Sequence, residues 1–389
     1  MTEVRFLTRE IGSLAKPSWR VKAFAGLELD EADFAEAERW GRKLDVEGHE
    51  ALVEGLRSGS ASRDQLDDWA AVYALRLLEQ TGLDVVYDGE QRRTEMYDHV
   101  AAFAQGFEPR GTVRSFDNKY YAKAAVVEPP SAKGPQDVEE YRFVASHTEH
   151  TVKVPLTGAY TMVDWSYDEH YAREGALGAS AERRYEARRR FVADVAERVI
   201  RPNAEGLAQA GAEWLQIDEP AATTKPHEVP LVVEGFNAAL GGIPVARKSM
   251  HICFSDYTAL WPAVLELEDC LELQLEFANR DSRDLGTREE DRPGYADTLS
   301  LFKEHGYPNV GLGVLDIHSD FVEPAELVRD RILYAVDVLG DPQRIQVNPD
   351  CGLRTRSWDV VYEKLASMVE GTRLAERELN RAHAAPAQT

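Results

Sequence analysis

The sequence has little cysteine: three in 389 residues, Cys253, Cys270 and Cys351. That is no disulfide framework, so each is packed, metal-bound or reactive. No apolar run approaches the ~20 residues of a membrane-spanning helix, and the start, Met1-Thr2-Glu3-Val4-Arg5, lacks a signal-peptide core. A cytoplasmic protein without a membrane partner is expected. Positive charge is also short, with 45 Lys and Arg against 68 Asp and Glu and a net charge of -23. Such a surface disfavours nucleic acid and anionic lipid, and a polyanionic substrate would need a local basic patch. No Gly-rich phosphate fingerprint follows the first predicted strand, which argues against a doubly wound dinucleotide-binding sheet.

What is present is a repeated rhythm of strand, polar tip and helix. Phe6 to Leu14 reads as a strand running into a Gly12-Ser13 turn, and Leu83 to Tyr87 ends at Asp88-Gly89-Glu90. Thr151 to Leu156 ends at Thr157-Gly158, and Glu213 to Ile217 at Asp218-Glu219-Pro220. Ala246 to His251 is closed by Ile252-Cys253, and Leu271 to Leu275 by Glu276. Val310 to Leu315 meets Asp316-Ile317-His318, and Arg344 to Val347 meets Asn348-Pro349-Asp350-Cys351-Gly352. Eight such units predict an α/β fold, a (β/α)8 TIM barrel whose site lies at the strands' C-terminal ends.

A long helical connection joins the first two strands, with Ser62 to Gln65 as a capping box. An inserted hairpin is expected between Arg114 and Pro130. A helix is expected from Ala181 to Ile200, ended by Pro202, with Arg183, Arg184, Arg188, Arg189 and Arg190 as a solvated face. The barrel domain spans 1–381, and 382–389 reads as a disordered tail.

Side chains alternate along a strand, so His251 and Cys253 share a face. Alone, such a pair is more often a packed histidine beside a buried thiol. Placed on one rim, however, His251, Cys253, Glu276 and Cys351 make a mixed nitrogen, sulfur and oxygen set acceptable to tetrahedral zinc. Cys270 precedes its strand and reads as packing. Glu90 and Asp218 offer carboxylates for a substrate ammonium, and Ser13 with nearby amides could hold a carboxylate, which together suits an amino acid. Each of these residues also reads, singly, as a cap or loop brace.

These stretches, with Ile11-Gly12-Ser13, Gly89-Glu90, Gln216-Ile217-Asp218-Glu219-Pro220-Ala221, His251-Ile252-Cys253 and Asn348-Pro349-Asp350-Cys351-Gly352-Leu353 in order, resemble the catalytic half of the cobalamin-independent methionine synthases. The resemblance implies that His251, Cys253, Glu276 and Cys351 ligate zinc (Zn2+). It implies that Ile11, Ser13, Glu90 and Asp218 bind the amino-acid end of homocysteine. His318 would protonate the donor's leaving group, and Trp165 would lie near a folate donor.

The length resembles the family's short forms, and Ser115 to Ala124 matches poorly where the family places basic donor-binding residues. The methyl donor is therefore either a methyltetrahydrofolate-type pterin or a methylcorrinoid (methylcobalamin or a corrinoid protein). Two other readings stand beside this one: a zinc-dependent alkyltransferase acting on another thiol such as coenzyme M, and a zinc-binding or thiol-sensing barrel without enzymatic activity.

Overall fold

Neighbouring strands of the main sheet pair in parallel, in a register that brings their polar ends to one rim: Thr157 opposes Asp218, and Asp218 opposes His251. The molecule is seen in a computed structural model that describes residues 3–114, 120–174 and 180–384. Its strands are β1 (Val85–Val86), β2 (Gln105–Arg114), β3 (Tyr120–Ser131), β4 (Thr151–Thr157), β5 (Tyr167–Asp168), β6 (Trp214–Asp218), β7 (Arg247–Ile252), β8 (Glu272–Leu275), β9 (Asn309–Gly313) and β10 (Ile345–Asn348). Seven of them form a curled parallel sheet in the order β1-β4-β6-β7-β8-β9-β10. This is the TIM-barrel type of α/β architecture that the strand-and-helix rhythm predicts.

Alternation explains the strand sequences. In β6, Leu215 and Ile217 join the apolar core, while Gln216 between them is buried on the opposite face. That opposite face is polar: Arg9, fully buried, pairs with Glu272 on β8 at 2.6 Å.

The expected first strand is reduced to single bridges. Thr8 pairs with Val347 and Arg9 with Val85, so the segment touches both edges of the sheet. Beyond Arg9 the backbone leaves the ladder, and the Ile11 carbonyl accepts instead from the side chains of Lys153 and Gln216. The long C-terminal helix, Trp358–Ala384, pins this segment from outside. Asn380 exchanges two hydrogen bonds with the backbone of Val4, at 2.8 and 3.0 Å, and Glu376 accepts from Phe6 N at 2.8 Å.

The capping box forms as expected at the start of the helix Arg63–Gln80. The insertion is larger than a hairpin: β2 and β3 pair antiparallel, and β5 adds a third, parallel strand. The intervening residues 115–119 lie outside the described part.

Three further expectations are corrected. Pro202 does not end its helix. The helical backbone runs on through a π turn at Ala196–Ile200 into Arg201–Gln209, and Pro202 comes just after that turn, where the wider hydrogen-bond spacing interrupts the regular ladder. Arg188 is not on a solvated face: it pairs with Asp164 and Glu228 and lies over the Tyr160 ring. The C-terminal helix runs through Ala384, past the expected boundary at 381, and residues 385–389 lie outside the described part. Among the described residues, no helix is long and apolar enough to cross a membrane.

Candidate metal centre and active site

β7 ends at Ile252, so His251 and Cys253 sit at the sheet's rim, and the turn after β10 brings in Cys351. The ligand atoms of these three residues all lie within 4.8 Å of one another. His251 Nδ1 is 3.0 Å from the Gln274 carbonyl, which can only accept, so Nδ1 carries a proton and Nε2 is the nitrogen turned toward Cys351 Sγ, 3.4 Å away. A hydrogen bond from Cys253, together with the nearby His251, pulls the Cys351 thiol down to about 5, while the same contact and burial push Cys253 well up. Cys351 is thus the thiol of the pair that gives up its proton more readily, and a thiolate is the form that binds metal.

Glu276 follows β8 and is 1% exposed. The structure does not gather it into the trio. Its Oε2 accepts from Phe254 N at 3.1 Å and from Asn279 Nδ2 at 3.0 Å. Its Oε1 is buried without a hydrogen-bond partner and faces His318 Nε2 at 3.9 Å. A buried carboxylate with one oxygen tied down and the other free is ready to ligate a cation. With one imidazole, two cysteines and this spare oxygen, the donor set fits zinc.

The turn holding Glu276 is fixed by Asp350, whose carboxylate accepts from the backbone N–H of Phe277 (3.0 Å), Ala278 (3.0 Å) and Asn279 (2.7 Å). Asp350 thus locks the loop carrying Glu276 to the loop carrying Cys351. The sequence reading quoted this residue without a role. Its signal in the sequence is an aspartate in an Asn-Pro-Asp-Cys-Gly turn, a residue type that caps backbone N–H groups.

One cavity of about 150 Å³ opens onto the trio. Ile11, Ser13, Glu90, Trp165, Asp218 and His318 all line it, along with His251, Cys253 and Cys351. Close approach explains two glycines in its wall: a Cβ on Gly12 would stand 2.4 Å from Glu90 Oε1, and one on Gly352 2.5 Å from Ser13 Oγ. Burial pushes Asp218 up to about 7 against the pull of His251, and Glu90 adds to the rise.

Trp165 closes the helix Ala159–Trp165, whose first turn is held by Glu219 through Tyr160 N and Thr161 N. Its ring stacks on Tyr121 at 5.4 Å. The sequence reading missed Phe254, which also lines the cavity, 45% exposed, at φ 52°, with its ring edge-on to His318 at 4.9 Å. It also missed Arg354, which lines the cavity 4.0 Å from Glu95. Cys270 is buried away from this group and donates to the Glu272 carbonyl, a packing role as expected.

The model of the cobalamin-independent synthase catalytic domain matches residues 51–374. A methionine synthase from Thermoplasma volcanium is 36% identical over 380 residues, covering 93% of this chain and 96% of its own. The chain belongs to the cobalamin-independent methionine synthase family. Another relative carrying the methionine synthase name, from Pyrococcus abyssi, is 32% identical over 378 residues and is covered over 94% of its length. Among solved structures, a B12-independent methionine synthase from a Shewanella species, in complex with selenomethionine, superposes with a TM-score of 0.68 at 22% identity, covering 96% of this chain and 99% of that one. That likeness extends the family's fold to the present chain.

Proposed function

We propose that the protein transfers a methyl group from a methylated folate to the sulfur of homocysteine, with zinc held by His251, Cys253, Glu276 and Cys351. The observation that carries this reading is the cluster of His251, Cys253 and Cys351 in the wall of a cavity that also exposes two carboxylates, with the free, buried Oε1 of Glu276 behind it, 3.9 Å from His318. Zinc bound there would hold the substrate thiol as thiolate near neutral pH, where a free thiol of pKa ~8.5 is mostly protonated.

The chain's own residues supply the rest. Glu90 and Asp218 face the substrate ammonium, and Ile11 and Ser13 line the end suited to its carboxylate. Coenzyme M has no ammonium for those two acids, which favours an amino-acid thiol. His318 is a candidate general acid: the Glu276 carboxylate beside it raises its proton affinity, and a folate nitrogen must gain a proton to leave. Trp165, which lines the cavity and is backed by the buried Tyr121 stacked on its ring, offers an aromatic surface for a flat heterocycle. The family's cobalamin-independent description agrees with a folate donor.

The test is to give zinc-loaded protein homocysteine with methyltetrahydrofolate, in mono- and polyglutamate forms, or with methylcobalamin. Methionine is expected from the folate. Methionine from methylcobalamin alone would transfer the role to a corrinoid donor, and zinc binding with no methionine from either would leave a thiol-binding protein.

A further inference from the structure

Lys153 lies inside β4, 0% exposed, in the polar interior beneath the cavity. A lysine in the otherwise apolar run Thr-Val-Lys-Val-Pro-Leu needs a reason, because an unpaired buried ammonium is costly. Its Nζ donates to Ile11 O at 2.7 Å and to Gln216 Oε1 at 2.5 Å, with Glu10 Oε2 at 3.9 Å. Gln216, also fully buried, donates through Nε2 to Ile11 O at 2.8 Å and to Asp218 Oδ1 at 2.6 Å.

The directions of these bonds are forced. An ammonium only donates, so the Gln216 carbonyl oxygen must face Lys153. The amide nitrogen then has to face Ile11 O and Asp218. If the amide turned over, its oxygen would meet a carbonyl and a carboxylate, both acceptors. Lys153 therefore selects the orientation of Gln216, and Gln216 ties one oxygen of Asp218. The other oxygen is left for the cavity.

Building on the amino-acid pocket proposed above, we infer that Lys153 is a positioning residue for recognition of the substrate ammonium, acting on Asp218 through Gln216. Its charge sits two hydrogen bonds from the cavity and touches no ligand. Glu10, whose carboxylate oxygens have no hydrogen-bond partner, balances that charge in the same layer. A lysine that only offset Glu10 or braced the sheet would affect every thiol ligand alike.

The experiment compares binding of homocysteine with that of 4-mercaptobutyrate, the same thiol acid without the amine, to zinc-loaded protein by calorimetry. Wild type is expected to prefer homocysteine. Lys153→Met should weaken homocysteine about tenfold or more, the scale of a lost charge-assisted hydrogen bond, while 4-mercaptobutyrate affinity and zinc content stay the same. Gln216→Met should do likewise. Glu10→Gln with Lys153→Met keeps the layer neutral and carries the same comparison where the single lysine variant does not fold. Equal loss for both thiols, or an undiminished preference for homocysteine, overturns the inference. Absence of any preference in wild type would overturn the amino-acid pocket itself, and this inference with it.

Discussion

His318 Nε2 faces Glu276 Oε1 across 3.9 Å, and neither atom has a hydrogen-bond partner. The two free atoms divide the proposed chemistry between them: a carboxylate oxygen available to a cation, and an imidazole nitrogen available to a leaving group. His318→Asn is therefore expected to lower kcat with methyltetrahydrofolate about 100-fold or more, the usual scale for a general acid, and to leave zinc content unchanged. A steady-state assay paired with metal analysis checks this. Unchanged kcat would remove His318 from the reaction.

Removing a proposed ligand should act on the metal first. Cys351→Ser and Glu276→Gln are each expected to reduce bound zinc, measured by mass spectrometry of dialysed protein, and to abolish methyl transfer. Chelation of wild type should do the same, with recovery on adding zinc. A Glu276→Gln protein with full zinc and full turnover would show that the free oxygen serves another purpose.

Asp350→Ala tests the lock between the two loops. It strands three backbone N–H groups, so a loss of about 2–4 kcal/mol in unfolding free energy is expected, with weaker zinc retention. Denaturant titration gives the first quantity and competition with a chelator the second. Normal zinc affinity in a destabilised protein would make Asp350 a stabilising cap alone.

Away from the cavity, Asp137 predicts an acid limb of stability. Burial pushes its carboxyl up, but the Arg93 charge and a 2.6 Å contact with His99 win and hold it down to about 2. An unfolded aspartate titrates near ~3.9. A carboxyl depressed by folding contributes stability that is complete above the unfolded value and lost as pH falls through the folded one. Asp137→Asn should thus be less stable than wild type at pH 6 by about 2 kcal/mol, and the difference should shrink as pH falls from about 4 to 2. Urea midpoints at the two extremes decide it.

Some of this was legible from residue types and alternation. A histidine and cysteine two apart at a strand end share a face in any β geometry, and the polar tips of successive strands fall on one rim in any parallel sheet. His251, Cys253, Asp218 and Glu90 therefore lie where sequence reasoning puts them. What escaped it depends on which atoms meet across long separations. Asp350 reaches backbone some 70 residues earlier, and Lys153 reaches Ile11, 142 residues away. Pro202 misled because a π turn just before it lets the helix absorb a ring that otherwise breaks a regular helix interior. Arg188 misled because a cluster of charges on a helix looks solvated until Asp164 and Glu228 are seen beside one member.

The grip of Asn380 and Glu376 on Val4 and Phe6 sets an order of events during synthesis. The segment that supplies Ile11 and Ser13 leaves the ribosome early, yet the side chains that hold it emerge more than 360 residues later. Before then the stretch can reach Val85, Lys153 and Gln216, while its bridge to Val347 and the outer grip of the last helix are still to come. The wall of the cavity that holds Ile11 and Ser13 is thus secured late in translation, and a nascent chain halted before Glu376 would carry every strand of the sheet with that wall still lacking its outer clamp.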